Sequence, residues 1–137
     1  MRAQRIRTRL ENEKGQSLVE FALVVPLMLL VIGIAEIGRA WMTKNIMTGA
    51  AREAVRILAV KPPWPGGMTP LNRAKNILNS AGIYTDHTII MIDDTTENTP
   101  VSVTVNYEFP VLIAGFIPGM SNATIPLTNM TTMRKEY

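Results

Sequence analysis

The sequence predicts an α+β fold. A long N-terminal membrane-spanning helix continues into a stalk, which packs on a small head with a short helix and about three antiparallel strands. Three observations predict it. Residues 18–37 form an apolar run. Apolar residues recur at helical spacing to about residue 59. From residue 87 they recur at every second position, as in strands. In a chain of 137 residues we therefore expect a basic segment (1–15), a transmembrane and stalk helix (16–60) and a small α+β head (61–137).

The apolar run is long enough to cross a bilayer. As a helix, residues 18–37 would extend about 30 Å, close to the hydrocarbon thickness. The uninterrupted apolar core, residues 21–35, also fits a signal peptide. No small-residue cleavage site follows it, however, and the helical pattern continues through Arg39 to Trp41, a residue that suits the membrane interface. We interpret the run as an uncleaved anchor.

A glutamate lies inside this run. Glu20 and Glu36 are the only ionisable residues of 18–37, and a charged side chain at the bilayer centre costs about 2.5–3.5 kcal/mol on insertion scales. Ionisable residues within a membrane are candidates for function by default. The alternative is that Glu20 lies near the cytoplasmic interface, where its cost is small.

The stalk continues the helix beyond the membrane, from about residue 13 to residue 59 in all. Its apolar residues recur at spacings of four, three and four and form one face, which two neighbours widen: Met47, Ala51, Ala54 and Leu58, with Ala50 and Val55. Pro26 is either an ordinary membrane-helix proline or a flexible point of the helix.

The head begins where the long helix must end, at the proline- and glycine-rich residues 61–67. Thr69 as N-cap and Pro70 at the first helical position predict a second helix. Gly82 is a suitable residue to end it.

The rest of the head has the period of strands. Residues 87–93 and 101–109 read as strands, and the second alternates most regularly. Residues 122–133 predict a third, in which Pro126 favours an edge strand or the end of a strand. The apolar residues 110–119 predict either a short helix or a buried loop.

The positive charge is confined to the N-terminus. Residues 1–15 hold five basic and two acidic residues, a net +3, whereas residues 16–137 hold nine of each. Basic residues stay on the cytoplasmic side of a membrane, so we expect the N-terminus inside and the head outside. A disordered basic tail is the alternative. A nucleic-acid-binding protein would carry its basic residues on the folded domain, so we expect no nucleic-acid partner.

We expect no enzyme activity and no catalytic, cofactor or metal site. The chain has no cysteine, and its one histidine, His87, lies on a predicted strand, where a polar surface role is the commoner one. Neither a nucleotide-binding glycine loop nor a nucleophile elbow is present.

Two motifs resemble a known family. The segment from Gly15 to Phe21 (GQSLVEF), the apolar helix after it, and residues 50–56 (AAREAVR) resemble the TadE-like pseudopilins of the tight-adherence (Tad/Flp) pilus, which are relatives of type IV pilins. The resemblance covers residues 14–60, and over the head it rests on the valine-rich strand and the closing strand.

The resemblance implies a processed filament subunit. A prepilin peptidase would cut between Gly15 and Gln16, remove the basic leader and make Glu20 the fifth mature residue. The Glu20 carboxylate would then meet the α-amino group of a neighbouring subunit. Implied partners are the bacterial inner membrane, the peptidase, other pilin or pseudopilin subunits and the pilus assembly platform. The implied roles are pilus biogenesis, secretion and adherence, with the subunit in the inner membrane or incorporated into an extracellular pilus.

The chain departs from this pattern in length. Major subunits of this pilus usually lack a sizeable head, so a chain with about 75 residues beyond the stalk implies a minor or initiating pseudopilin. The alternative is a signal-anchored envelope protein whose head binds a partner, with residues 111–117 as the contact surface and no filament role.

Overall fold

A computed structural model describes residues 2–60, 62–83, 88–94 and 100–136. The described elements are two α-helices and three β-strands, α1 (Arg2–Leu58), α2 (Pro70–Ser80), β1 (Thr88–Asp93), β2 (Val101–Pro110) and β3 (Thr124–Met133). The predicted α+β fold is confirmed. The chain divides into two compact units, Met1–Ile37 and Gly38–Tyr137.

The first unit is helical from Arg2 onward. The helix begins well before the predicted start near residue 13, because residues 2–14 are rich in Arg, Gln, Leu, Glu and Lys, all good helix formers. It continues through Pro26. Large apolar side chains are exposed along most of the run, for example Phe21 and Leu27.

In the second unit, α1 presents one buried face. The six stalk residues predicted to form it are all buried, Met47, Ala50, Ala51, Ala54, Val55 and Leu58. The helix ends at Leu58, just before the predicted break, and Gly66 and Gly67 follow with φ of 69° and 66°. Trp64 lies between the end of the helix and these glycines, and its indole Nε1 donates to the Val60 carbonyl at 3.2 Å.

The caps of α2 confirm the sequence signals. The Thr69 hydroxyl accepts a hydrogen bond from the Asn72 backbone N–H at 3.2 Å, which satisfies one of the unpaired donors of the first turn. At the other end Gly82 has a φ of 75°. The Ile83 N–H donates to the Leu78 carbonyl at 2.9 Å and the Gly82 N–H to that of Asn79 at 3.0 Å. This is the Schellman arrangement that a left-handed glycine permits.

The strands form one antiparallel sheet in the order β1-β2-β3. Val105 of β2 pairs with Ile90 of β1 and Asn129 of β3. Alternation along β2 buries Val101, Val103 and Val105 in the core. The predictions of three strands and of an edge position for the last are confirmed. His87 and residues 95–99 lie outside the described residues.

The sheet and α1 share a single core in this unit. The valines of β2 cluster with the buried face of α1 and with Ala74, Leu78 and Ile83. Three of these core positions in α1, and the residue that follows the helix, are alanines: Ala50, Ala51, Ala54 and Ala59.

Polar contacts join the second-unit part of α1, and the residue after it, to the sheet and to the segment that follows β3. The Arg39 guanidinium donates to the Pro110 carbonyl at 3.4 Å, and the Asn129 side-chain amide donates to the Thr48 hydroxyl at 2.8 Å. The Glu136 N–H donates to the Ala59 carbonyl at 3.0 Å. Residues 39–58 of the helix extend about 30 Å, and the three contacts lie at the beginning, in the middle and just after the end of this segment.

Residues 110–119 are not a buried loop. They contain a short 3₁₀ turn, Ile113–Phe116, so the alternative of a short helix is nearer to what forms. Ala114 is buried, whereas Leu112, Phe116 and Ile117 are exposed. The loop is closed at its base by the Val111 N–H, which donates to the Ala123 carbonyl at 3.1 Å.

Candidate assembly site on the N-terminal helix

The predicted assembly residue Glu20 lies on an exposed part of α1. Gln16 stands one helical turn before it, and the Gln16 side-chain Nε2 donates to Glu20 Oε1 at 3.1 Å. Residues four apart face each other on a helix, so the local geometry follows directly from the spacing. The structure thus places Gln16 and Glu20 together at an accessible surface, and their assembly role stays a prediction.

Gly15, the predicted cleavage position, is exposed and helical. A methyl group added there would meet no atom within 4 Å, so packing does not require a glycine at this position. Glycine lowers the stability of a helix interior by roughly 0.5–1 kcal/mol relative to alanine. The helix is therefore locally weak at the bond between Gly15 and Gln16, which is what a protease that must open the backbone requires.

The surroundings of this site are apolar and uncovered. Among the described residues one helix is long and apolar enough to cross a membrane, in the segment Gly15–Leu58, and none of its most apolar stretch is buried. An exposed apolar helix of this length requires lipid or other apolar helices around it. The first unit thus fits a single-pass membrane protein.

Arg39 makes contacts that sequence reasoning missed. Its guanidinium carbon lies 4.8 Å from the centre of the Phe109 ring, in addition to the hydrogen bond to the Pro110 carbonyl. From the sequence, Arg39 can pair with Glu36 three residues before it and can extend to the membrane interface. A partner 71 positions along the chain leaves no local signal, and only the register of β2 brings it near.

Charged groups of the head serve structural contacts. Arg73 of α2 lies 3.7 Å from the Glu53 carboxylate of α1, and the largely buried Lys135 ammonium lies 2.6 Å from Asp94. Over the described part of the chain, no three His, Asp or Glu side chains come together as metal ligands would.

The comparison with known families agrees with the position of the site. Residues 15–56 match the model of a family described as TadE-like protein, a segment that begins at Gly15 and includes Gln16 and Glu20. No curated protein and no solved structure matches the chain. The match indicates involvement in the Tad pilus.

Proposed function

We propose that this chain, whose residues 15–56 match the TadE-like family, is a minor pseudopilin of a Tad/Flp-type pilus. It would be a structural subunit with no enzymatic activity. It would lie in the bacterial inner membrane with its N-terminus in the cytoplasm and its head outside, and enter or prime a filament in pilus biogenesis and adherence. Its partners would be a prepilin peptidase, other pilin subunits and the assembly platform.

The observation that carries the proposal is the exposed Glu20 carboxylate on an uncovered apolar helix. In a bilayer this carboxylate raises the free energy of the isolated subunit. A neighbouring subunit that presents an ammonium group lowers it again, because the pair shares the desolvation cost that each charge bears alone. Assembly would therefore be favoured at Glu20, because pairing there lowers the free energy that the charged side chain adds to the isolated subunit.

A cut between Gly15 and Gln16 would supply that ammonium group. It would free the α-amine of Gln16 and remove all of the net +3 carried by residues 1–15. The basic residues are useful before the cut, since they hold the N-terminus in the cytoplasm. The local weakness of the helix at Gly15 supports cleavage there.

The test compares two glutamates of one helix. Glu20→Gln keeps the shape of the side chain and its capacity to bond Gln16 but removes the charge. Glu36→Gln makes the same change at the other end of the apolar run. Both variants are expressed in a host with the complete pilus machinery, and the subunit is quantified in sheared filaments and in inner membranes.

We expect Glu20→Gln to accumulate in the membrane and to be lost from filaments or to stop their formation, while Glu36→Gln assembles close to normally. Normal assembly of Glu20→Gln would refute the pairing role. The alternative, a signal-anchored binding protein, predicts something different: full function when residues 16–37 are replaced by an unrelated membrane anchor.

A further inference from the structure

The loop between β2 and β3 exposes a cluster of large apolar side chains. Leu112 is 60% exposed and Phe116 73%, and Ile117 and Met120 are about half exposed. We call these four residues the loop patch. Solvent exposure of so many large apolar groups within nine residues marks an interaction surface.

The loop patch is held in shape. Successive backbone hydrogen bonds of 3.0–3.1 Å run from the N–H groups of Gly115, Ile117, Met120 and Ala123 to the carbonyl three residues before each. Ala114, within the 3₁₀ turn, is buried. The apolar side chains are therefore presented by ordered turns, and little conformational entropy is lost when they are covered.

The loop patch also has a defined place along the chain. Its first residues follow Pro110, whose carbonyl accepts from Arg39, and Arg39 comes two residues after the apolar run of 18–37. Arg39 and the largely exposed Trp41 are residue types that lie at membrane interfaces. The loop thus leaves β2 next to Arg39, at the end of the second unit where the chain arrives from the apolar run.

The chemistry of the loop suits that surface. Residues 109–133 contain no ionisable side chain, so the loop can enter an apolar phase without desolvating a charge. Glu108, the nearest acidic residue before the loop, accepts a hydrogen bond from the Thr124 hydroxyl at 2.7 Å at the base of the loop.

We propose that the loop patch inserts into the headgroup–acyl boundary of the bilayer that α1 spans, as a second membrane contact of the head. The proposal rests on the membrane-spanning role of α1 in the proposed function. It adds that, before assembly, the head of the membrane-bound subunit contacts the lipid surface through the loop patch. The head must then leave the lipid when the subunit enters a filament.

Single cysteines can test this, because the chain has none of its own. The full chain is reconstituted in vesicles of phosphatidylethanolamine and phosphatidylglycerol, with an environment-sensitive fluorophore at Phe116→Cys, Met130→Cys or Leu27→Cys. Met130 is the matched control, since it is also apolar and 61% exposed. It lies six positions into β3, about 20 Å from the loop end of the sheet. Quenching by spin-labelled lipid reports contact with the acyl chains.

We expect strong quenching and a blue-shifted emission at residues 27 and 116, and neither at residue 130. Quenching at 27 without quenching at 116 would overturn the loop proposal and leave the membrane helix intact, which would make another subunit the occupant of the patch. Equal quenching at 116 and 130 would overturn it too, since contact would then not be confined to the loop. An unquenched residue 27 would refute the membrane helix and the loop proposal with it.

Discussion

Met28 and Met47 lie on the same helix, α1, yet Met28 is 60% exposed and Met47 is fully buried. The difference distinguishes the two compact units. In the second unit the sheet and α2 cover one face of α1, whereas in the first unit nothing among the described residues covers the most apolar stretch. The second half of α1 thus has its partner within the chain, whereas the most apolar stretch of the first half is left for lipid to cover and, in the proposed function, for other subunits.

The largest effect on stability is expected at the buried methionine. Met47→Ala removes a fully buried side chain and leaves a cavity, which costs about 2–5 kcal/mol of unfolding free energy. Met28→Ala makes the same change in the uncovered half and should leave the stability of the head unchanged. Urea unfolding of the full chain in detergent micelles, followed by tryptophan fluorescence, measures both. Equal losses would show that the two halves are not distinct.

A smaller effect is expected from the opposite change, the addition of volume. Ala54 lies fully buried between the helix and the sheet, so Ala54→Leu should cost about 1–3 kcal/mol through overpacking. Ala35 is exposed in the first unit, and Ala35→Leu is the control that should leave head stability unchanged. The same unfolding measurement applies, and an unaffected Ala54→Leu would mean that the sheet does not approach α1 closely.

The smallest effect is expected at the cap of α2. Thr69→Ala removes the acceptor for the Asn72 N–H and should cost about 1 kcal/mol. Thr69→Ser keeps the hydroxyl and should retain most of the stability. This pair calibrates the comparison, because it changes a single hydrogen bond at the surface of the covered unit. A loss as large as that for Met47→Ala would indicate that α2 contributes far more to the core than its packing implies.

The sequence predicted those parts of the fold that local patterns determine. The buried face of the stalk follows from helical spacing, and β2 follows from strict alternation of Val101, Val103 and Val105. Thr69 and Gly82 signal the ends of α2 through their own side-chain and backbone chemistry. These features are set by residues close in sequence, so a single chain is enough to read them.

Other features depend on distant parts of the chain or on partners. The contact of Arg39 with Phe109 requires the final position of β2. Residues 110–119 have no period, so their apolar composition alone left a short helix and a buried loop open, and the 3₁₀ turn with exposed side chains is nearer to the first. For Glu20, spacing accounts for its contact with Gln16, whereas its proposed partner belongs to another molecule.

The proposed function depends on the removal of residues 1–15, since the amine that would meet Glu20 exists only after the cut. Mass spectrometry of the N-terminal peptide, on protein purified from its native host, tests this most directly. We expect a mature chain that begins at Gln16 in a host with an active prepilin peptidase, and a chain that keeps residues 1–15 when the peptidase is deleted. A mature chain that retains Arg2 to Gly15 in the presence of the peptidase would contradict it.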